Sequence, residues 1–152
     1  MSELLEKLKS LLRVDEGERL KPYRDTVGHT TICYGFNLDA HPLSDEMASC
    51  LRLTGQLTHG MCETLLDITA RAAIKDCEEI FPHYAAWTLN RQAAVADFMF
   101  NVGMHVEAEF INTNRHLNAG EWEQAAECME KSLWYVQVHR RGPEIVGMVR
   151  NG

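Results

Sequence analysis

Glu16, Asp25 and Thr31 lie within the stretch RVDEGERLKPYRDTVGHTTICYGFNL, residues 13–38, and their types suit a division of acid and base labour. A glutamic acid can protonate a leaving oxygen. An aspartate that stays ionised, with a hydroxyl beside it, can grip a water and take its proton. Glycosidases separate these roles by placing two carboxyls in unlike environments. A water held between the base and the reacting carbon implies inversion and carboxyls roughly 6.5–9.5 Å apart. Spacing alone favours a plainer reading, since helix-terminal glutamates are common and turn aspartates hydrogen-bond their own backbone.

The elements that must hold these groups can be read locally. Leu4, Leu5, Leu8, Leu11 and Leu12 fall on one face at helical spacing, so the chain opens with an amphipathic helix. Gly17 supplies the left-handed conformation with which helices often stop, and it places Glu16 at the helix C-terminus. The macrodipole makes that end unfavourable for a carboxylate, so a glutamate held there is costly unless it works as an acid. Pro22 enforces an extended entry at Lys21. Asp25-Thr26-Val27-Gly28 then reads as a hairpin turn, and His29 to Tyr34 as a strand.

Further along, Asp39 to Leu43 reads as a loop, and Ser44-Asp45-Glu46 signals a helix running to about Leu53. A long helix is expected from Thr58 to Ile80, with Cys62, Leu66, Ala70, Ala73 and Cys77 on its apolar face. Pro82 closes it and permits a short helix near His83 to Trp87. Asn90 to Val102 is apolar on nearly every face and reads as the buried centre of a helical lobe ended by Gly103. Shorter helices follow over Val106 to Phe110, Asn112 to Asn118 and Glu121 to Leu133, and a last one begins between His139 and Pro143. The expected class is α+β, one domain over 1–152: a small N-terminal lobe near 14–58 with a short antiparallel sheet, a helical lobe from 1–13 and 80–152, and a connecting helix at 58–80. A polymer could lie in a cleft between such lobes.

Bulk properties narrow the function. The chain has 152 residues, 45% hydrophobic and 24% charged, which is the composition of a globular protein. A net charge of −7 and the absence of a basic stripe with interleaved aromatics argue against nucleic acid as a partner. The same charge gives no long-range steering toward an anionic cell wall. The N-terminal MSELLEKLKS lacks the apolar run of a signal peptide or a membrane span, so no stable membrane insertion is expected. Cys33, Cys50, Cys62, Cys77 and Cys128 are odd in number and show no paired spacing; all five are expected to be reduced and mostly buried, as in a cytosolic product. The seven histidines have no zinc-helix spacing, so no metal and no cofactor are expected. No GxSxG nucleophile elbow occurs.

The runs DEG, RLKPYRDT and TICYG, with LTHGMCETLLDI, QAAVADFMFNVG and GEWEQAAECMEKSLWYVQ later in the chain, resemble the tailed-phage lysozymes, glycoside hydrolase family 24 of the bacteriophage T4 type. That family's motif is glutamate, then aspartate or occasionally cysteine nine positions on, then threonine six further, and Glu16, Asp25 and Thr31 keep both spacings. The resemblance implies a lysozyme-like fold and hydrolysis of peptidoglycan between N-acetylmuramic acid and N-acetylglucosamine, with Glu16 as general acid and Asp25 with Thr31 orienting the water. It also implies a saccharide-binding side formed by Phe100, Asn101, Asn112 and Thr113, where packing competes as the reading for Phe100. Phe110 falls in the same region, and packing is preferred for it. Gln137 is either a cleft residue or a backbone-binding amide of the helical lobe. Arg141 aligns with an arginine that pairs with the catalytic glutamate; the alternative is a solvated arginine beside Arg140. Cys33 stands where the family often has glycine, and Phe36 where it often has histidine or arginine. A monomer is expected, made in the cytoplasm of an infected or lysogenic bacterium and released to the periplasm and wall by a holin-type pore. Two other readings remain: a lytic transglycosylase acting on the same bond, and a non-catalytic peptidoglycan-binding relative.

Overall fold

A computed structural model describes residues 2–103 and 110–152. In chain order the elements are helix α1 (Ser2–Glu16), strands β1 (Arg19–Arg24), β2 (Thr30–Cys33) and β3 (Phe36–Asn37), helices α2 (Asp45–Thr54) and α3 (His59–Ile80), and a 3-10 turn (Tyr84–Ala86). Helices α4 (Leu89–Val102), α5 (Ile111–Asn118), α6 (Trp122–Glu130), α7 (Leu133–Gln137) and α8 (Arg141–Asn151) follow. The chain is α+β and mostly helical, with one small antiparallel sheet, as expected. It forms two compact units, one of Lys9–Thr69 and the other of the residues up to Leu8 together with Ala70–Gly152.

The first unit carries the sheet, in the order β1-β2-β3. Tyr23 pairs with Thr31 and Arg24 with Thr30, while the register shifts between Arg19 and Tyr23. Pro22 sits inside that irregular stretch of an edge strand, where its missing N–H costs the ladder nothing. Ile32, Phe36 and Leu57 are buried in this unit. Ser44 caps α2 through its hydroxyl, which accepts from the Met47 N–H, and Gly55 at φ 77 closes the helix. The turn chemistry read from sequence is what the backbone uses.

Cys33 and Cys62 form a disulfide with Cα atoms 5.0 Å apart. This corrects the expectation that all five cysteines are reduced. The two lie 29 positions apart, so no local spacing announces them; the end of β2 and the first turn of α3 bring them together in space. Cys50, Cys77 and Cys128 are free thiols.

In the helical unit, α4 is buried from Ala93 through Met99, as its all-round apolar sequence requires. The ring of Phe98 meets those of Phe110 and Trp134 edge-on at 4.8 Å each, a geometry that aligns ring edges with the negative face of the neighbour. Helix α5 packs on α6, and α8 packs on α4 and α6. One local expectation is revised. Glu121 to Leu133 does not form one helix: α6 stops at Glu130, and the Ser132 hydroxyl caps a separate helix, α7, by accepting from the Tyr135 N–H. The helix expected over Val106 to Phe110 falls, at 106–109, outside the described residues, and Phe110 itself is the non-helical residue preceding α5. Pro143 lies in the first turn of α8, where a missing N–H breaks no intrahelical bond. Among the described residues, no helix is long and apolar enough to cross a membrane.

Candidate active site

Glu16 is the last residue of α1. Gly17, at φ 70, donates its N–H to the Arg13 carbonyl at 3.1 Å, the single bond by which a left-handed residue closes a helix. The Glu16 side chain lies against the turn between β2 and β3. A Cβ added to Gly35 would stand 2.8 Å from Glu16 Oε2 and 3.1 Å from its Cδ. Only a glycine leaves room for the carboxylate there, and Gly35 also holds φ 72.

Asp25 opens the turn after β1. Its Oδ1 accepts the N–H of Val27 at 2.9 Å and of His29 at 2.8 Å, while Oδ2 lies 3.5 Å from His29 Nδ1 on the exposed side. Burial pushes its pKa up, but the backbone N–H groups of His29 and Val27 and the charge of His29 outweigh that and leave it below the ordinary aspartate value. Asp25 is therefore an ionised acceptor at neutral pH. Thr31, 3% exposed on β2, donates its hydroxyl proton to the His29 carbonyl at 3.0 Å, so toward any further partner its oxygen acts as an acceptor.

Tyr23 links these groups. It pairs across the strands with Thr31, and its ring carries the Arg19 guanidinium 4.3 Å from the centroid. Burial raises the Tyr23 pKa first, the charge of Glu16 raises it next, Arg19 lowers it, and Asp25 raises it again. The phenol thus lies in the field of both carboxylates. Sequence reading missed Tyr23, although its place on the strand leading into the Asp25 turn, two residues before Asp25, was the available signal.

A second set of unforeseen residues braces the site. Glu63 on α3 accepts from Arg13 of α1 through Nη2 at 2.7 Å and Nε at 3.2 Å. Tyr34 donates its hydroxyl to the same carboxylate. The Arg13 bond lowers the Glu63 pKa, burial opposes it, and the Tyr34 bond lowers it further. Burial and that bond push Tyr34 up to about 12. His59 Nδ1 and Glu18 Oε1 are 2.6 Å apart nearby.

The remaining candidates belong to the helical unit. Phe100 is partly exposed and Asn101 exposed on α4; Asn112 is exposed and Thr113 buried on α5. Gln137, at the end of α7, is exposed. Arg141 is 7% exposed, which corrects the solvated alternative, and its Nε donates to Oδ1 of the fully buried Asp97 at 2.7 Å. Asp97 was not foreseen, because a single acid within an apolar helix carries no motif. A shallow depression of about 420 Å³ in this unit is lined by Ile80, Ile111, Asn114, Arg115 and Asn118, none of them a candidate sugar contact.

Thr31 on β2, Asp25 in the turn after β1 and Glu16 at the end of α1 all lie in one unit of a lysozyme-like α+β fold. Residues 13–151 match the Phage lysozyme family, and the chain belongs to that family. It is 25% identical to Probable T4-type lysozyme 2 of Dictyostelium discoideum, over 98% of this chain and 96% of that protein, and 23% identical to Probable T4-type lysozyme 1 of the same organism over the same shares. It is 29% identical to the Pre-baseplate central spike protein Gp5 of Enterobacteria phage T4 over 93% of this chain, which spans 27% of that protein's length. Family and relatives support a glycosidase of the lysozyme type, with peptidoglycan as the substrate class.

Proposed function

We propose that the chain is a muramidase that cleaves peptidoglycan between N-acetylmuramic acid and N-acetylglucosamine with inversion. Glu16 protonates the leaving oxygen. Asp25, ionised by its turn N–H groups, accepts a proton from a water that also donates to Thr31, and that water attacks the anomeric carbon from the opposite face. The observation that carries this reading is that the Glu16 carboxylate packs on Gly35 of the β2–β3 turn while Asp25 and Thr31 sit on the β1–β2 turn and strand β2 of the same small sheet, within one compact unit. An ionised Asp25 and a Thr31 hydroxyl whose proton is already committed to His29, so that it can only accept, support hydrolysis over transglycosylation, which has no use for a held water.

Phe100, Asn101, Asn112 and Thr113 are proposed saccharide contacts and Arg141 and Gln137 supporting groups, on the strength of the family resemblance. The biological setting proposed is that of an endolysin: a monomer acting on the wall of an infected or lysogenic host after passage through a holin-type pore. Glu16→Gln in the purified protein tests the acid. It should abolish release of reducing ends from purified peptidoglycan while leaving the melting temperature within about 2 °C, less than 1 kcal/mol for a chain of this size. Near-normal release would remove Glu16 from the chemistry. Mass spectrometry of the wild-type products separates the two reactions, since anhydro-muramic ends would mean a transglycosylase.

A further inference from the structure

The β2–β3 turn is built against local preference. Ile32 pairs with Phe36, so Cys33, Tyr34 and Gly35 make the connection, and Cys33 holds φ 58, a left-handed conformation that an L side chain rarely adopts. Each residue of this turn is tied to something. Cys33 is bonded to Cys62, and Tyr34 donates to Glu63, the next residue of α3. Gly35 carries the Glu16 carboxylate. Glu63 in turn holds Arg13, one helical turn before Glu16. The helix end bearing Glu16, the first turn of α3 and the turn beneath Glu16 therefore form one closed cycle, and the disulfide is its covalent member.

We propose that the Cys33–Cys62 disulfide is a redox-controlled positioning device: oxidation locks the β2–β3 turn beneath Glu16 and makes the site competent, and reduction releases it. The proposal rests on the lysozyme reading of that site. Without the bridge, Cys33 is free to leave its left-handed conformation, and Gly35 moves with it. Glu16 then loses the surface that fixes its carboxylate, while Asp25 and Thr31, which precede the bridged loop, keep their own turn bonds. In the closing step the thiols of Cys33 and Cys62 lose two protons and two electrons as the S–S bond forms. The electrons pass by thiol–disulfide exchange to a disulfide-bearing oxidant, which leaves as two thiols. Both cysteines have no exposed surface, so exchange requires the turn to open. A protein made in a reducing compartment would thus gain activity on reaching an oxidising one.

The test uses the full chain purified under reductant, with half then oxidised by oxidised glutathione, and both forms assayed on purified peptidoglycan. Titration in denaturant should find five reactive thiols in the first form and three in the second. Oxidation should raise kcat about tenfold, equivalent to about 1.4 kcal/mol, with KM nearly unchanged. Cys62→Ala should hold the low rate in either condition. Adding Cys33→Gly to it should recover most of the activity without any bridge, because glycine takes the left-handed conformation freely. Equal rates for the two forms, wild-type activity in Cys62→Ala, or no recovery by the glycine would each overturn the proposal. If neither form cleaves peptidoglycan, the lysozyme reading fails instead. Amide exchange over residues 33–37 then decides: about tenfold faster exchange on reduction supports the device, and identical exchange removes it.

Discussion

Gly35→Ala separates the two demands that the structure places on one residue. The first is backbone: at φ 72 an L side chain costs about 1–2 kcal/mol, or about 5 °C in melting temperature for a chain of this length. The second is space. The new Cβ would lie 2.8 Å from Glu16 Oε2, 3.1 Å from Cδ and 3.5 Å from Cγ. Ordinary contact requires the carboxylate to withdraw by roughly 0.5–1 Å. A displacement of that size in a proton-donating group costs about a hundredfold in rate. Gly55→Ala is the matched control, because Gly55 has φ 77 and nothing within 4 Å of its added Cβ. Both variants should lose similar thermal stability, while Gly35→Ala alone loses about a hundredfold in kcat on purified peptidoglycan at 25 °C. If Gly35→Ala melts like Gly55→Ala and hydrolyses at the wild-type rate, Glu16 is not held by that turn and the acid assignment loses its geometric support.

Asp25→Asn should lower kcat/KM by about 10²–10⁴ in the same assay. Because the folded pKa of Asp25 is depressed, its ionised form stabilises the fold above the ordinary aspartate value of about 3.9, and that contribution is lost as pH falls through the lower folded value. The melting temperatures of wild type and Asp25→Asn should therefore differ at neutral pH and converge below that value; a gap that stays constant would contradict the turn bonding. Tyr23→Phe keeps the ring beneath Arg19 but removes a hydroxyl whose proton the charges of Glu16 and Asp25 help to hold, so kcat should fall about fivefold, the size of one net hydrogen bond, with stability unchanged. Reducing the Cys33–Cys62 bridge, which spans 29 positions, should cost about 3.6 kcal/mol by chain entropy and about 10 °C in melting temperature. Calorimetry that shows no loss would argue that the bridge constrains only its turn.

What could be read from sequence followed the range of the interactions involved. The αL stop at Gly17, the Ser44 cap and the all-round apolar α4 are written in adjacent residues, and the structure carries each of them. Asp25 could be placed in its turn because aspartate bonds backbone within a few positions of itself. Long-range pairs gave no such signal. Glu63 reads as one more charge on an amphipathic helix until Arg13, 50 positions earlier, is found on it. Asp97 and Arg141, 44 positions apart, form a buried pair that neither segment announces. The pairing of Cys33 with Cys62 belongs to the same class, and an odd cysteine count made five reduced thiols the simpler expectation.

The cost of these arrangements is concentrated. Among the described residues, two that are not glycine hold positive φ, Cys33 at 58 and His139 at 50. The first follows Thr31 by two positions, and the second precedes Arg141 by two. Strained backbone persists only where its surroundings over-determine it, and it gathers where a side chain must be aimed. At Cys33 the surroundings can be named: a covalent bond to Cys62, a paired strand on either side, and the Tyr34 hydroxyl on Glu63. In the unit of Cys33, a glutamate placed at the unfavourable end of a helix dipole adds a second local violation. Two departures from local preference within one unit, at Cys33 and at Glu16, are costly for stability alone, and they gain a physical reason if that carboxylate delivers a proton.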